Sequence, residues 1–235
     1  MAARNLGVLA FGDSITNGGG ELQWGVALQS WAQWTARALG LPYTGYATDG
    51  ARVADVRHQQ IPAFAEHAAH PDGRYDLGCL YIGVNDVRGL DWDADAFAAD
   101  FEACLRFVAA RCERVVTLTA PLGLGVPPAG PRVAELNAAV RETAGRVGAL
   151  VVDLSSFGAR NHVMADRVHP TAFGQIAIAE RALTVLAADG LAPVVAPSSL
   201  ITYRMTRIGR LRGDMTYVYR GLKLRARAAA MRLGR

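Results

Sequence analysis

Apolar residues along the chain fall into two alternating patterns. Short, nearly unbroken apolar runs occur at Leu6–Phe11, Pro42–Ala47, Leu77–Ile82, Val115–Ala120 and Leu150–Leu154. Their length and continuity predict strands covered on both faces. Between them the spacing changes to three and four residues, the mark of helices with one buried side. Residues 25–39 present Leu28, Trp31, Ala32, Thr35 and Leu39 on one side, and residues 94–111 present Phe97, Phe101, Cys104, Leu105 and Val108. Val133, Leu136, Val140, Ala144 and Val147 repeat the pattern, and Thr171–Ala188 is a last Ala-rich helix entered through Pro170. Strand–helix alternation repeated five times predicts an α/β domain over residues 1–190. The expected architecture has three layers in flavodoxin-like order, with a five-stranded parallel sheet at its centre.

After residue 190 the pattern changes. Leu191–Ser199 carries two prolines and reads as a linker. Apolar positions then return at helical spacing, first Ile201, Met205 and Ile208, then Met215, Val218, Tyr219, Leu222, Ala226, Ala229 and Leu233. Gly213-Asp214 lies between the two sets, so residues 191–235 are expected to form a linker and a basic helical hairpin. Charge separates this extension from the body. Residues 200–235 hold ten basic groups against the single acid Asp214, a net +9. The remainder holds 15 basic and 20 acidic groups, a net −5. Three readings of the extension stand open: packing on the body or on a second subunit in a homodimer, contact with an anionic membrane surface, and binding of an acidic partner. Nucleic acid is the least favoured partner.

At 51% hydrophobic and 20% charged residues, the 235-residue chain fills a core and does not read as disordered. Cys79, Cys104 and Cys112 are odd in number and lack metal-ligand spacing. They read as buried thiols, the last two in a helical pattern. The first apolar run is too short for a signal-peptide core, and no stretch approaches a membrane span, so the expected location is cytoplasmic.

The chemistry collects at strand ends. The first strand runs into Gly12-Asp13-Ser14, the second into Thr48-Asp49-Gly50-Ala51, and the third into Gly83-Val84-Asn85-Asp86. With strand one between strands two and three, these turns meet where strand order reverses, the usual ligand position of an open α/β sheet. His169 arrives on a late loop with Asp166 three residues before it. A serine hydroxyl is a weak nucleophile that needs a base, and the base needs an orienting partner. Ser14, His169 and Asp166 supply these types. The Ser14 N–H, the Gly50 N–H and the Asn85 amide are candidate oxyanion donors. Asp13 and Asp86 read as turn-formers. His58, His67 and His70 read as solvated surface groups, and Gly18-Gly19-Gly20 as a flexible rim of the site.

Gly12-Asp13-Ser14, Gly50, Gly83-Val84-Asn85-Asp86 and Asp166-Arg167-Val168-His169, in that order over about residues 5–188, resemble the first, second, third and fifth sequence blocks of the SGNH (GDSL-type) serine esterases and lipases. Ile15 departs from the leucine common in that family, and Gly50 is anchored only by Asp49 and its position. The resemblance implies a flavodoxin-like fold with Ser14, Gly50, Asn85 and His169 in the roles above. The expected activity is hydrolysis of carboxylic ester or thioester bonds in a small-molecule acyl ester with a partly apolar acyl chain or aglycone, through a Ser14 acyl-enzyme, with no metal and no organic cofactor. Acyl transfer to an alcohol or amine would use the same groups, and a non-catalytic module acting through its basic tail is the alternative from another class. Leu22, Trp24, Leu124, Val126 and His162 are candidate walls of the acyl pocket.

Overall fold

A computed structural model describes residues 5–20, 26, 28–68, 70, 72–201 and 206–233, excepting the side chains of 228 and 231–233. Five strands form one parallel sheet in the order β2-β1-β3-β4-β5. They are β1 (Val8–Gly12), β2 (Tyr43–Gly45), β3 (Tyr75–Tyr81), β4 (Cys112–Leu118) and β5 (Leu150–Val152). The helices are α1 (Ser14–Asn17), α2 (Trp31–Leu39), α3 (Val53–Asp55), α4 (Ile61–His67), α5 (Ala94–Ala109), α6 (Arg132–Val147), α7 (Ala172–Ala188) and α8 (Arg207–Leu233). A π-helical turn, Val56–Gln60, joins α3 to α4. The strand order is the flavodoxin-like one.

Right-handed crossovers from this order set α2 on one face and α3 to α6 on the other, and α7, after the last strand, returns to the α2 face. In agreement, α2 packs on α7, while α5 packs on α6 and on the 56–60 turn. All five residues of β1 are buried, which is why its sequence shows no alternation. Phe11 anchors an aromatic cluster, its ring stacked on Tyr46 at 5.7 Å and edge-on to Phe64 and Phe107 at 6.0 Å.

Several boundaries move relative to the pattern. The helix expected from residue 25 begins at Trp31, because Ser30 caps it with its hydroxyl on the Gln33 N–H while Gln33 returns a bond to the Ser30 N–H. Cys112, assigned to a helical pattern, opens β4 instead, and all three cysteines are buried free thiols. The polar stretch from Arg57 continues a helical segment that begins at Val53, turned inward by Val53, Val56, Gln60 and Phe64. His58, His67 and His70 on it are exposed.

The expected hairpin at Gly213-Asp214 is not formed: α8 runs unbroken through both residues. One internal glycine costs a helix only about 1 kcal/mol. Asp214 meanwhile pairs with Arg160 at 3.1 Å instead of turning the chain. The linker lies along the body, with the Val194 and Val195 amides on the Ala38 carbonyl. Residues 202–205, which include Met205 of the first expected tail segment, lie outside the described residues. Among the described residues, no helix is long and apolar enough to cross a membrane.

Candidate active site

The site begins where β1 ends. Gly12 lies beside Tyr81 in register, and a Cβ on Gly12 would run into the Tyr81 carbonyl, so only glycine allows the two strand ends this close. Asp13 then caps the one-turn helix α1 by accepting the Ile15 N–H at 2.9 Å. This turn presents Ser14 at the carboxyl edge of the sheet, mostly buried but reachable. Two glutamines hold the turn from opposite faces. Gln60 accepts the Gly12 N–H at 3.1 Å and donates to the Gly12 carbonyl at 2.8 Å and the Thr48 hydroxyl at 3.0 Å. Gln175 on α7 accepts the Trp31 N–H at 2.8 Å and donates to the Ile15 carbonyl at 2.9 Å. Both are buried, and sequence reasoning missed both: each sits in a helical run where a polar residue is ordinarily solvated.

The loop after β5 returns as a narrow ribbon. Val163 bridges Pro170 in antiparallel fashion, and the Met164 amide donates to the His169 carbonyl at 2.9 Å. Its tip is Arg167, with φ 56°, a left-handed conformation uncommon for a residue with a side chain. That reversal brings Asp166 back over its own successors. One carboxylate oxygen accepts the Val168 and His169 amides at 2.9 and 3.1 Å, and the other meets His169 Nδ1 at 2.8 Å. On the far side of the ring, Nε2 lies 2.9 Å from Ser14 Oγ. Serine, imidazole and carboxylate thus form one hydrogen-bonded line across 155 residues of chain.

The electrostatics follow from these bonds. The hydrogen bond to Asp166 raises the His169 pKa above its ordinary value; burial opposes the rise, and the Asp166 and Asp13 charges add to it. Burial alone would raise Asp166, but the His169 ring and the two amides outweigh it and hold the carboxyl below its ordinary value. Asp13 goes the other way. It is fully buried, its second carboxyl oxygen has no hydrogen-bond partner among the described residues, and desolvation lifts its pKa to about 7. Asp86 is lifted to about 6, also by burial, while it accepts the Val53 N–H at 3.1 Å.

The remaining candidates are placed unequally. Asn85 donates from Nδ2 to the Ala51 carbonyl at 3.0 Å, so the turn after β3 holds the loop after β2. An amide nitrogen carries two hydrogens, which leaves one to donate elsewhere. Gly50 is exposed with φ 76°, and a Cβ there would meet nothing within 4 Å. Val126 lines a cavity of about 200 Å³ with Gly125, Arg167 and residues of α8. Leu124, expected as a pocket wall, is instead fully buried in the core, where the turn from Pro121 folds it inward. The half-buried His162 ring stacks on Phe157 at 5.5 Å, and burial lowers its pKa. Leu22 and Trp24 lie outside the described residues. The glycine run is packed rather than a loose rim. Gly18 caps α1, the Gly19 amide donates to the Ser14 carbonyl, and Gly20 abuts the Pro170 carbonyl.

The model of the GDSL-like lipase/acylhydrolase family matches residues 10–176, which covers every strand end described above except the first residues of β1. The chain belongs to that family. It is accordingly an ester-hydrolysing enzyme. Among solved structures, the GDSL-like chain is similar to LAE5, an α/β-hydrolase enzyme from the metagenome of Lake Arreo, Spain. The two are 19% identical with a TM-score of 0.60, over 79% of this chain and 96% of the other. It is similar also to Axe2, an acetylxylan esterase from Geobacillus stearothermophilus, at 19% identity and a TM-score of 0.60, over 78% of this chain and 95% of the other. At this identity the likeness establishes a shared fold. No curated protein matches the chain.

Proposed function

We propose that this ester hydrolase works through a covalent acyl-enzyme on Ser14. In the first half-reaction Ser14 Oγ attacks the ester carbonyl while its proton passes to His169 Nε2. The carbonyl π pair moves onto oxygen. Asp166 keeps the Nδ1 proton directed at its carboxylate, so Nε2 is the free base, and it stabilises the imidazolium that forms. The oxyanion is received by the Ser14 and Gly50 N–H groups and the second Asn85 amide hydrogen; each such donor is worth about 3 kcal/mol at the transition state. Collapse expels the alkoxide, which takes the proton from His169. Water, deprotonated by the same ring, then attacks the acyl-serine and restores the enzyme.

The observation that carries this reading is the line of contacts from Ser14 Oγ through the His169 ring to Asp166, at 2.9 and 2.8 Å. A neighbour adds support. Variants of Axe2 described as catalytic mutants replace a serine, an aspartate and a histidine, the last two three positions apart as Asp166 and His169 are. Axe2 acts on acetylated xylan or xylooligosaccharides by its descriptions, and a small acyl group is the substrate class we assign here. The test is hydrolysis of p-nitrophenyl acetate together with labelling by a fluorophosphonate. Ser14→Ala is expected to lower turnover by about four orders of magnitude and to abolish labelling. A folded Ser14→Ala protein that keeps its activity would refute the assignment.

A further inference from the structure

Helix α8 meets the body through Asp214 and Tyr217. Asp214 pairs with Arg160 at 3.1 Å, and the Arg160 guanidinium lies 5.4 Å over the Tyr217 ring. Tyr217 also lines a cavity of about 420 Å³ beside the Asp166–His169 loop, together with Phe157, Met164 and Arg167. At about 100° per residue, a side of the helix centred roughly a third of a turn away carries a continuous apolar stripe: Ile208, Leu211, Met215, Val218, Tyr219 and Leu222. These six side chains are between 53% and 80% exposed, an unusual run of large apolar groups in water. Along one border of the stripe stand Arg207 and Arg225, and along the other Arg212, Lys223 and Arg227, all exposed. An apolar stripe with cationic borders on both sides is the cross-section of a helix lying in the headgroup region of a bilayer.

We infer that α8 is an interfacial anchor that binds this chain to the surface of an anionic lipid membrane. The separation of charge fixes the choice of occupant. The tail carries +9 against −5 for the rest of the chain, so an anionic surface attracts the helix and repels the body. Pairing of the stripe with a second copy fits less well. The spacing 208, 211, 215, 218, 222 continues to Arg225, and Arg207 and Arg212 flank it, so self-pairing would set guanidinium against guanidinium. A nucleic acid would use the charges and leave the stripe in water. Bound in this way, the helix would hold the loop that carries Asp166 and His169 beside the lipid surface, because Tyr217 and that loop share a cavity. The inference does not rest on the acyl-enzyme mechanism and can fail while that mechanism stands.

The test is co-sedimentation of the full chain with vesicles of equimolar phosphatidylcholine and phosphatidylglycerol, and with phosphatidylcholine alone. Binding is expected only to the anionic vesicles and is expected to weaken as salt is raised. The variant Leu211→Ser/Met215→Ser/Leu222→Ser should lose partitioning about a hundredfold or more. Arg212→Gln/Lys223→Gln/Arg227→Gln should lose a similar factor, about a hundredfold, by removing charge and no apolar area. Both variants alter exposed positions and should hydrolyse soluble p-nitrophenyl acetate like the parent, which shows that they fold. Failure of the parent chain to bind anionic vesicles, or equal binding to both compositions, overturns the inference. So does a parent dimer that the serine variant converts to monomer, which would assign the stripe to a second copy, and so does polyanion binding that survives the serine variant while vesicles are ignored.

Discussion

Replacing Asp166 with asparagine tests the tautomer on which the proposed chemistry depends. Asparagine has nearly the same shape, and its carbonyl oxygen can still accept the Val168 and His169 amides that the carboxylate accepts at 2.9 and 3.1 Å. The ribbon should therefore hold, with a change in stability of less than about 1 kcal/mol, or about 2–4 °C in Tm. The other oxygen, 2.8 Å from Nδ1, becomes an NH2 group, which can only donate. Nδ1 must then accept, and the ring proton moves to Nε2, facing Ser14 Oγ at 2.9 Å as a donor where a base is needed. The expected loss in kcat is about four orders of magnitude, or about 5 kcal/mol of barrier. A pH signature should accompany it. The bond to Asp166 raises His169, so the acid limb of kcat/KM in the parent should have its midpoint above the ordinary imidazole value of 6.5. In the asparagine variant the residual activity should show that limb displaced to lower pH. Steady-state kinetics on p-nitrophenyl acetate across the acid limb, with thermal melts of both proteins, reads all three quantities. A folded asparagine variant within tenfold of the parent would refute the reasoning, because the carboxylate would then be orienting nothing that limits the rate.

Asn85→Ala removes one proposed oxyanion donor and should lower kcat by about 10²–10³ with KM little changed, as steady-state kinetics would show. Gln60→Leu strands the N–H of Gly12 in a buried site and leaves its carbonyl with the Thr48 amide alone at 3.2 Å; a loss of about 1–3 kcal/mol is expected, seen as a midpoint shift in urea at unchanged slope. Asp13→Asn addresses the buried carboxyl. With its folded pKa raised from 3.8 to about 7, the native chain keeps a proton between those values that the unfolded chain has released. Stability should therefore fall as pH rises from about 4 to about 7, by an amount on the order of 4 kcal/mol. The substituted asparagine can still cap α1, so melts of the variant should show that slope flattened and a higher Tm than the parent at about pH 8, above the raised pKa; an unchanged slope would place the linkage elsewhere.

The strands and main helices were readable because both faces of this sheet are buried, so burial alone wrote their pattern into the chain. Ser14 and Asn85 were legible as candidates for a related reason: a parallel sheet delivers its strand ends to one edge, and residue types suited to acyl transfer stand at those ends, while His169 was legible as a candidate base on the late loop that carries Asp166. The Asp166–His169 pair is local, three residues apart, and a short loop was enough to suggest it. The contact of that pair with Ser14 is another matter, since nothing in a separation of 155 residues specifies a 2.9 Å approach. It depends on the left-handed Arg167, the Val163–Pro170 bridge and the packing of α7 through Gln175, all of which need the folded sheet beneath them. Gln60 and Gln175 left no trace in the pattern, because a buried glutamine in a helix differs from a solvated one only in what lies opposite. The outcome at Gly213-Asp214 has the same origin. Local chemistry permits a turn there, but the partner that engages Asp214 is Arg160, brought to it only by the tertiary fold. Sequence thus determined the elements and the candidate reactive groups, because those follow from burial and residue chemistry near each position. The folded structure alone decided which distant groups meet and which faces of α8 stay in water, because those depend on surfaces far apart in the chain.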